Sequence, residues 1–130
     1  MESVRARPSI LVVEDDVQFR RYLAEVLDNE GYLVRLADSG VTALEALGES
    51  TVDVVLTDLV MPGQDGVSLI RALRRSYPAL HIVAMSGRGR TDLSMDSLNL
   101  VRLLGADCTL EKPFSMAELR HALAVVFTRH

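Results

Sequence analysis

The acidic triplet Glu14, Asp15 and Asp16 follows the apolar run ILVV, and Asp58 follows a second run, VVLT. A third run leads to Ser86, and a short fourth one leads to Lys112 and Pro113. Carboxylates gathered at ~4 Å repel by roughly 4 kcal/mol per pair at an effective dielectric near 20, so a cluster of them asks for a cation. Ligands that are all oxygen suit a hard divalent ion that keeps several waters, which points to Mg2+, with Mn2+ as a substitute. A lysine and a hydroxyl beside the same acids supply positive charge and a donor to a transferring phosphoryl group. Asp58 is then free to act as a nucleophile.

These residues can meet only if the chain brings strand ends together. Apolar runs recur at SILVV (9–13), YLVRLA (32–37), VDVVLT (52–57), HIVAM (81–85) and CTL (108–110). The first, third and fourth are nearly unbroken, as in strands covered on both faces of a parallel sheet. Helical spacing fills the gaps between them. Phe19, Leu23, Val26 and Leu27 form one stripe, stopped at Gly31, while Val41, Leu44 and Leu47 form another, stopped at Gly48. Val67, Ile70 and Leu73 run up to Tyr77 and Pro78, and Leu98, Val101 and Leu104 run up to Gly105. The last helix opens on SMAE, Ser115 to Glu118, a capping-box pattern, and carries Met116, Leu119, Leu123 and Val126. Five strand and helix pairs in alternation predict an α/β fold, a (βα)5 doubly wound five-stranded parallel sheet of flavodoxin-like type. Its site lies beyond the carboxyl ends of the strands, where Glu14, Asp15, Asp58, Ser86 and Lys112 stand.

Composition narrows the function. A chain of 130 residues supports one core, and a net charge of -4 argues against broad affinity for nucleic acid or anionic lipid. No segment approaches the length of a membrane span, and the basic start meets acids too early for a signal peptide, so the expected location is cytoplasmic. The single cysteine, Cys108, excludes an internal disulfide and reads as a buried, inert thiol.

In its motifs the chain resembles the receiver domains of two-component response regulators: ILVVEDD, LTDLVMPGQDG, MSG and EKPF occur in the family's order. The resemblance covers essentially the whole chain. It implies a response regulatory domain over residues 9–130 behind an extension of residues 1–8, with no output domain. It implies Asp58 as phosphoacceptor, and Mg2+ held by Asp15, Asp58 and the backbone carbonyl of Val60, with Glu14 acting through a water. Lys112 and Ser86 complete the reacting set, and the Lys112–Pro113 bond is expected to be cis. A sensor histidine kinase or phosphotransfer protein would supply the phosphoryl group. Ser86, Thr109 and Pro113 would then switch the loop after the fourth strand. The face of helix four, strand five and helix five would pass the state to a downstream protein target or a second copy. Such a chain catalyses only its own phosphorylation and dephosphorylation, and touches neither nucleic acid nor membrane directly.

Two departures from the family pattern bear on the switch. Thr109 stands where many receivers carry an aromatic residue, and a threonine cannot swing a ring into the gap left by a moving hydroxyl. The stretch from Ser86 to Gly105 is longer than the usual spacing, and its Arg88 and Arg90 read either as a solvated loop or as ligands for a phosphoryl group or an acidic partner. Asp16 and Asp65 read as helix caps, and Asp53 lies at the wrong end of its strand for chemistry. His81, His121 and His130 lack a second ligand at metal spacing. An aspartate-nucleophile phosphohydrolase would want an acid where Val60 stands. A flavin site would want a phosphate-binding loop where the acidic triplet stands. A pseudo-receiver that only binds partners is the third alternative.

Overall fold

Valine, isoleucine and leucine in unbroken runs leave no face of a strand for water, and the backbone follows that pattern in a computed structural model of the protein. The structure describes residues 7–61, 64–87, 102 and 105–128, and for 60, 61, 64 and 65 the backbone alone. Strands β1 (Ser9–Val13), β2 (Leu33–Ala37), β3 (Val54–Asp58), β6 (His81–Gly87) and β7 (Cys108–Lys112) form one sheet in the order β2-β1-β3-β6-β7. All four pairings are parallel. Two-residue strands β4 (Val60–Met61) and β5 (Gln64–Asp65) make a small antiparallel hairpin directly after β3.

Helices α1 (Val17–Asn29), α2 (Gly40–Glu49), α3 (Gly66–Ser76) and α4 (Met116–Thr128) cover the sheet. α4 is the fifth helix of the sequence reading. The predicted fourth, with Leu98, Val101 and Leu104, lies outside the described residues, as do Arg88, Arg90, His130 and the Asp65 side chain. Gly105 does take the positive φ (130°) of a residue that closes a helix.

Side-chain alternation splits the core in two. Leu11, Val13, Val55, Ile82 and Ala84 pack with Ala43 and Leu47 of α2 and Leu69, Ile70 and Leu73 of α3. Ile10, Val12, Val54, Leu56, Val83, Met85 and Leu110 pack with Leu23 and Leu27 of α1 and Leu119, Leu123 and Val126 of α4. The doubly wound α/β sandwich expected from the sequence is therefore present, with strand order reversing between β1 and β3. Carrying the even-numbered alternation past the apolar runs of β1, β3 and β7 puts Glu14, Asp58 and Lys112 on the face shared with α1 and α4.

The helix starts follow from short polar side chains. Asp16 caps α1 by accepting from the N–H groups of Gln18 (2.9 Å) and Phe19 (3.2 Å). Ser115 and Glu118 form the predicted capping box of α4, at 3.0 and 2.9 Å. Ser39 and Thr42 do the same for α2. Asp53 staples β3 to β1 by accepting from the Ser9 N–H at 2.8 Å and its hydroxyl at 3.2 Å.

Two expectations need correction. In α2 the buried face is Gly40, Ala43 and Leu47, whereas Val41 and Leu44 are exposed, and the helix passes through Gly48 to Glu49. Small residues thus make up most of the face that α2 buries. Cys108 is half-buried rather than buried, since it opens a strand at the sheet's edge.

Candidate functional site

Three strand ends deliver the acids and the lysine. Glu14 continues β1, its N–H donating to the Ala37 carbonyl at 3.0 Å, so the register that joins β1 to β2 extends one step further. Asp58 closes β3, and the next N–H, of Leu59, donates to the Met85 carbonyl at 2.9 Å. Lys112 closes β7, followed by a cis bond to Pro113, as expected. Glu14 and Asp58 are buried and Asp15 is exposed, and one carboxylate oxygen from each lies within 4.8 Å of the others.

The Lys112 ammonium is bonded to both buried acids, at 2.7 Å to Glu14 Oε1 and 3.1 Å to Asp58 Oδ2. The second oxygen of Glu14 accepts from the Asp16 N–H at 3.1 Å, and Arg20 donates to the Glu14 carbonyl at 2.7 Å. Burial chiefly, with the charge of Asp58 beside it, raises the Glu14 pKa above its ordinary value, although Lys112 and the Asp16 N–H pull it down. Burial also works to lower the pKa of Lys112. Its bond to Glu14 and the charges of Asp58 and Glu14 outweigh that, so the net shift is upward and the ammonium stays charged.

One ammonium against three carboxylates leaves two formal negative charges in a tight space. Three hard oxygen donors with that residual charge fit a divalent cation, and nothing soft is among them. Ser86 is buried at the far end of β6, one residue past Met85, the register partner of Asp58. Thr109 pairs with Ala84 in register and is half-buried on the same sheet face as Ser86. Val60 lies in the hairpin immediately after Asp58.

Comparison with known proteins places this geometry. The family profile of the response regulator receiver domain matches residues 10–124. The chain belongs to the response regulator receiver family. Among curated relatives, the transcriptional activator protein PfeR of Pseudomonas aeruginosa is 38% identical over 86% of the chain and 35% of its own length. Sporulation initiation phosphotransferase F of Bacillus subtilis is 32% identical over 88% of this chain and 89% of that protein. A receiver domain structure from Clostridium thermocellum superposes with a TM-score of 0.85 at 28% identity, covering 94% of this chain and 95% of that one. The first curated relatives are longer, and the receiver spans 35% to 50% of their length.

The protein is thus a receiver domain of two-component response regulators, and its acidic cluster agrees with a phosphoacceptor site. Receivers exchange signals with histidine kinases and downstream effectors and fit a non-enzymatic role. No helix among the described residues is long and apolar enough to cross a membrane.

Glu14, Asp15, Asp58 and Lys112, singled out from the sequence, come together here, and Asp16 caps α1. Phe19 packs against the core as its helical stripe predicts, and it also makes a contact that the sequence does not suggest. The Lys112 Nζ lies over the Phe19 ring, 4.6 Å from its centroid. A cap at Asp16 puts Phe19 in the first turn of α1, on the side of the strand ends, but nothing in its spacing separates a ring that holds a charge from one that packs a core.

Proposed function

We propose that Asp58 is the phosphoacceptor of this receiver, charged by the phosphohistidine of a sensor histidine kinase or of a phosphotransfer protein. The Asp58 carboxylate attacks phosphorus, the P–N bond breaks, and the imidazole nitrogen leaves with the bonding pair. The Lys112 ammonium, 3.1 Å from Asp58, faces the oxygens of the incoming group and stabilises the charge they gather. Glu14, Asp15, Asp58 and the Val60 carbonyl would hold Mg2+, or Mn2+ in its stead. Bound there, the ion supplies positive charge to the phosphoryl oxygens. Once the aspartyl phosphate exists, the Ser86 hydroxyl donates to one of its oxygens and draws the loop after β6 with it. Thr109 and Pro113 flank that movement, so the signal leaves through the loop and through the face of β7 and α4 toward a protein target or a second copy.

The single observation that carries this reading is the lysine bonded at once to Asp58 and Glu14. On this reading the chain acts in the cytoplasm and catalyses only its own phosphorylation and dephosphorylation. Phosphotransfer from a radiolabelled histidine kinase tests it. Wild-type protein should take up label stoichiometrically, and Asp58→Asn should take up none while keeping its circular dichroism spectrum. Sustained release of phosphate from simple esters would favour a phosphohydrolase instead.

A further inference from the structure

The ammonium of Lys112 has three N–H donors, and the carboxylates of Glu14 and Asp58 use two of them. The remaining side of the charge lies over the Phe19 ring, at 4.6 Å from the centroid. The face of an aromatic ring is the negative part of its quadrupole, and it attracts a cation most where water is scarce. Phe19 is itself held. Its N–H donates to the capping carboxylate of Asp16 at 3.2 Å, and Arg20 beside it ties the first turn of α1 to the Glu14 carbonyl. Phe114, two residues after Lys112, meets the Phe19 ring edge-on at 5.9 Å, and Tyr22 stacks on it at 6.2 Å.

We propose that Phe19 is a positioning residue for the phosphoryl-transfer step, its ring fixing the Lys112 ammonium against Asp58 while the two carboxylates compete for it. The inference rests on the reading of Lys112 given above. Without the ring, the ammonium is free to settle on Glu14, the nearer carboxylate, and must be drawn back when the phosphoryl group arrives. With it, the charge is confined from below and two of its bonds are already aimed. Leucine fills a similar volume and packs against the same core, but it offers no negative face, so the two roles of Phe19 separate cleanly on substitution.

Lys112 is the chain's only lysine, which makes its side chain visible without assignment. Lysine-selective 13C and 15N labelling of the full chain gives one set of ε signals. In wild type the Hε protons should be shifted upfield by the ring, with or without Mg2+. In Phe19→Leu they should move to ordinary lysine positions, and in Phe19→Trp the upfield shift should return. The same Leu variant should be phosphorylated by acetyl phosphate about three- to tenfold more slowly at saturating donor and Mg2+, with KM little changed, and the Trp variant should recover most of the rate. Wild-type lysine signals and rate in a folded Phe19→Leu protein would overturn the proposal and leave Phe19 a packing residue. Lys112→Ala separates the two levels of the argument. If it is labelled at the wild-type rate, the reading of Lys112 itself fails, whereas slow labelling of Lys112→Ala beside normal Phe19→Leu defeats the ring alone.

Discussion

Lys112 stands closer to Glu14 than to Asp58, 2.7 Å against 3.1 Å, so in the resting receiver its stronger partner is the acid that is not the proposed acceptor. The ammonium also partly offsets the repulsion among the three carboxylates. Lys112→Ala should therefore destabilise the metal-free protein by about 2 kcal/mol, below the range for a fully buried pair because Lys112 is partly exposed. Mg2+ should narrow that gap, since its binding tightens once a competing positive charge is gone. Urea denaturation in chelator and in excess Mg2+ checks both statements, and an equal loss in the two conditions would contradict them.

At the opposite end of α1, burial first and the charge of Glu30 second raise the Tyr32 pKa above 10.0. A group whose folded pKa is raised contributes stability below its unfolded value and loses it as pH climbs through the folded one. Lys112 has the same sign. Stability should therefore fall in the alkaline range above about pH 10. Tyr32→Phe keeps the ring stacked on Phe127 (5.9 Å) but removes the titrating hydroxyl, and should shift alkaline unfolding to higher pH without abolishing it. A pH series of thermal melts decides the point.

Gly66 opens α3, and a Cβ there would overlap the backbone of Leu59, with Cα at 2.6 Å and C at 2.8 Å. Backbone cannot step aside as a flexible side chain can. Gly66→Ala should cost about 1–3 kcal/mol and push Leu59 and Val60 away from Asp58, weakening Mg2+ binding as well. Gly48→Ala, which meets nothing within 4 Å inside α2, should be neutral or slightly stabilising in the same melts.

Arg74 joins three parts of the chain. Its guanidinium donates to the carbonyls of Pro78 (2.8 Å), Leu80 and Gly105 and pairs with Asp107 at 3.2 Å, which in turn accepts from the Ile82 N–H at 2.8 Å. Arg74→Ala should cost about 2 kcal/mol, and Arg74→Lys should recover only part of it because an ammonium cannot span the same fork. Full wild-type stability in Arg74→Lys would show that charge alone matters, and equal stability of the Ala and Lys variants that charge without the fork contributes nothing. Chemical denaturation measures the difference.

The strands were the most legible part of the sequence. SILVV matches its strand, the runs at 32–37 and 52–57 begin one and two residues before β2 and β3, and β3, β6 and β7 run on to Asp58, Gly87 and Lys112, polar or small residues that extend a strand where its side chains meet a site rather than a core. Helix α2 was misjudged because a search for large apolar residues passes over Gly40 and Ala43, which make up most of its buried face. The meeting of Glu14, Asp15, Asp58 and Lys112 was readable because topology alone brings their strand ends together. The ring beneath Lys112 was not, since a half-buried phenylalanine in a helical stripe looks the same whether it packs a core or holds a charge.

The central claim is that Asp58 carries phosphorus through the acids and lysine around it. Intact-mass spectrometry after incubation with acetyl phosphate and Mg2+ tests it most directly. The account predicts the added mass of one phosphoryl group on wild type, lost on chelation of the metal before donor is added and absent in Asp58→Asn. An unchanged wild-type mass, or an equal gain in the Asn variant, would contradict it.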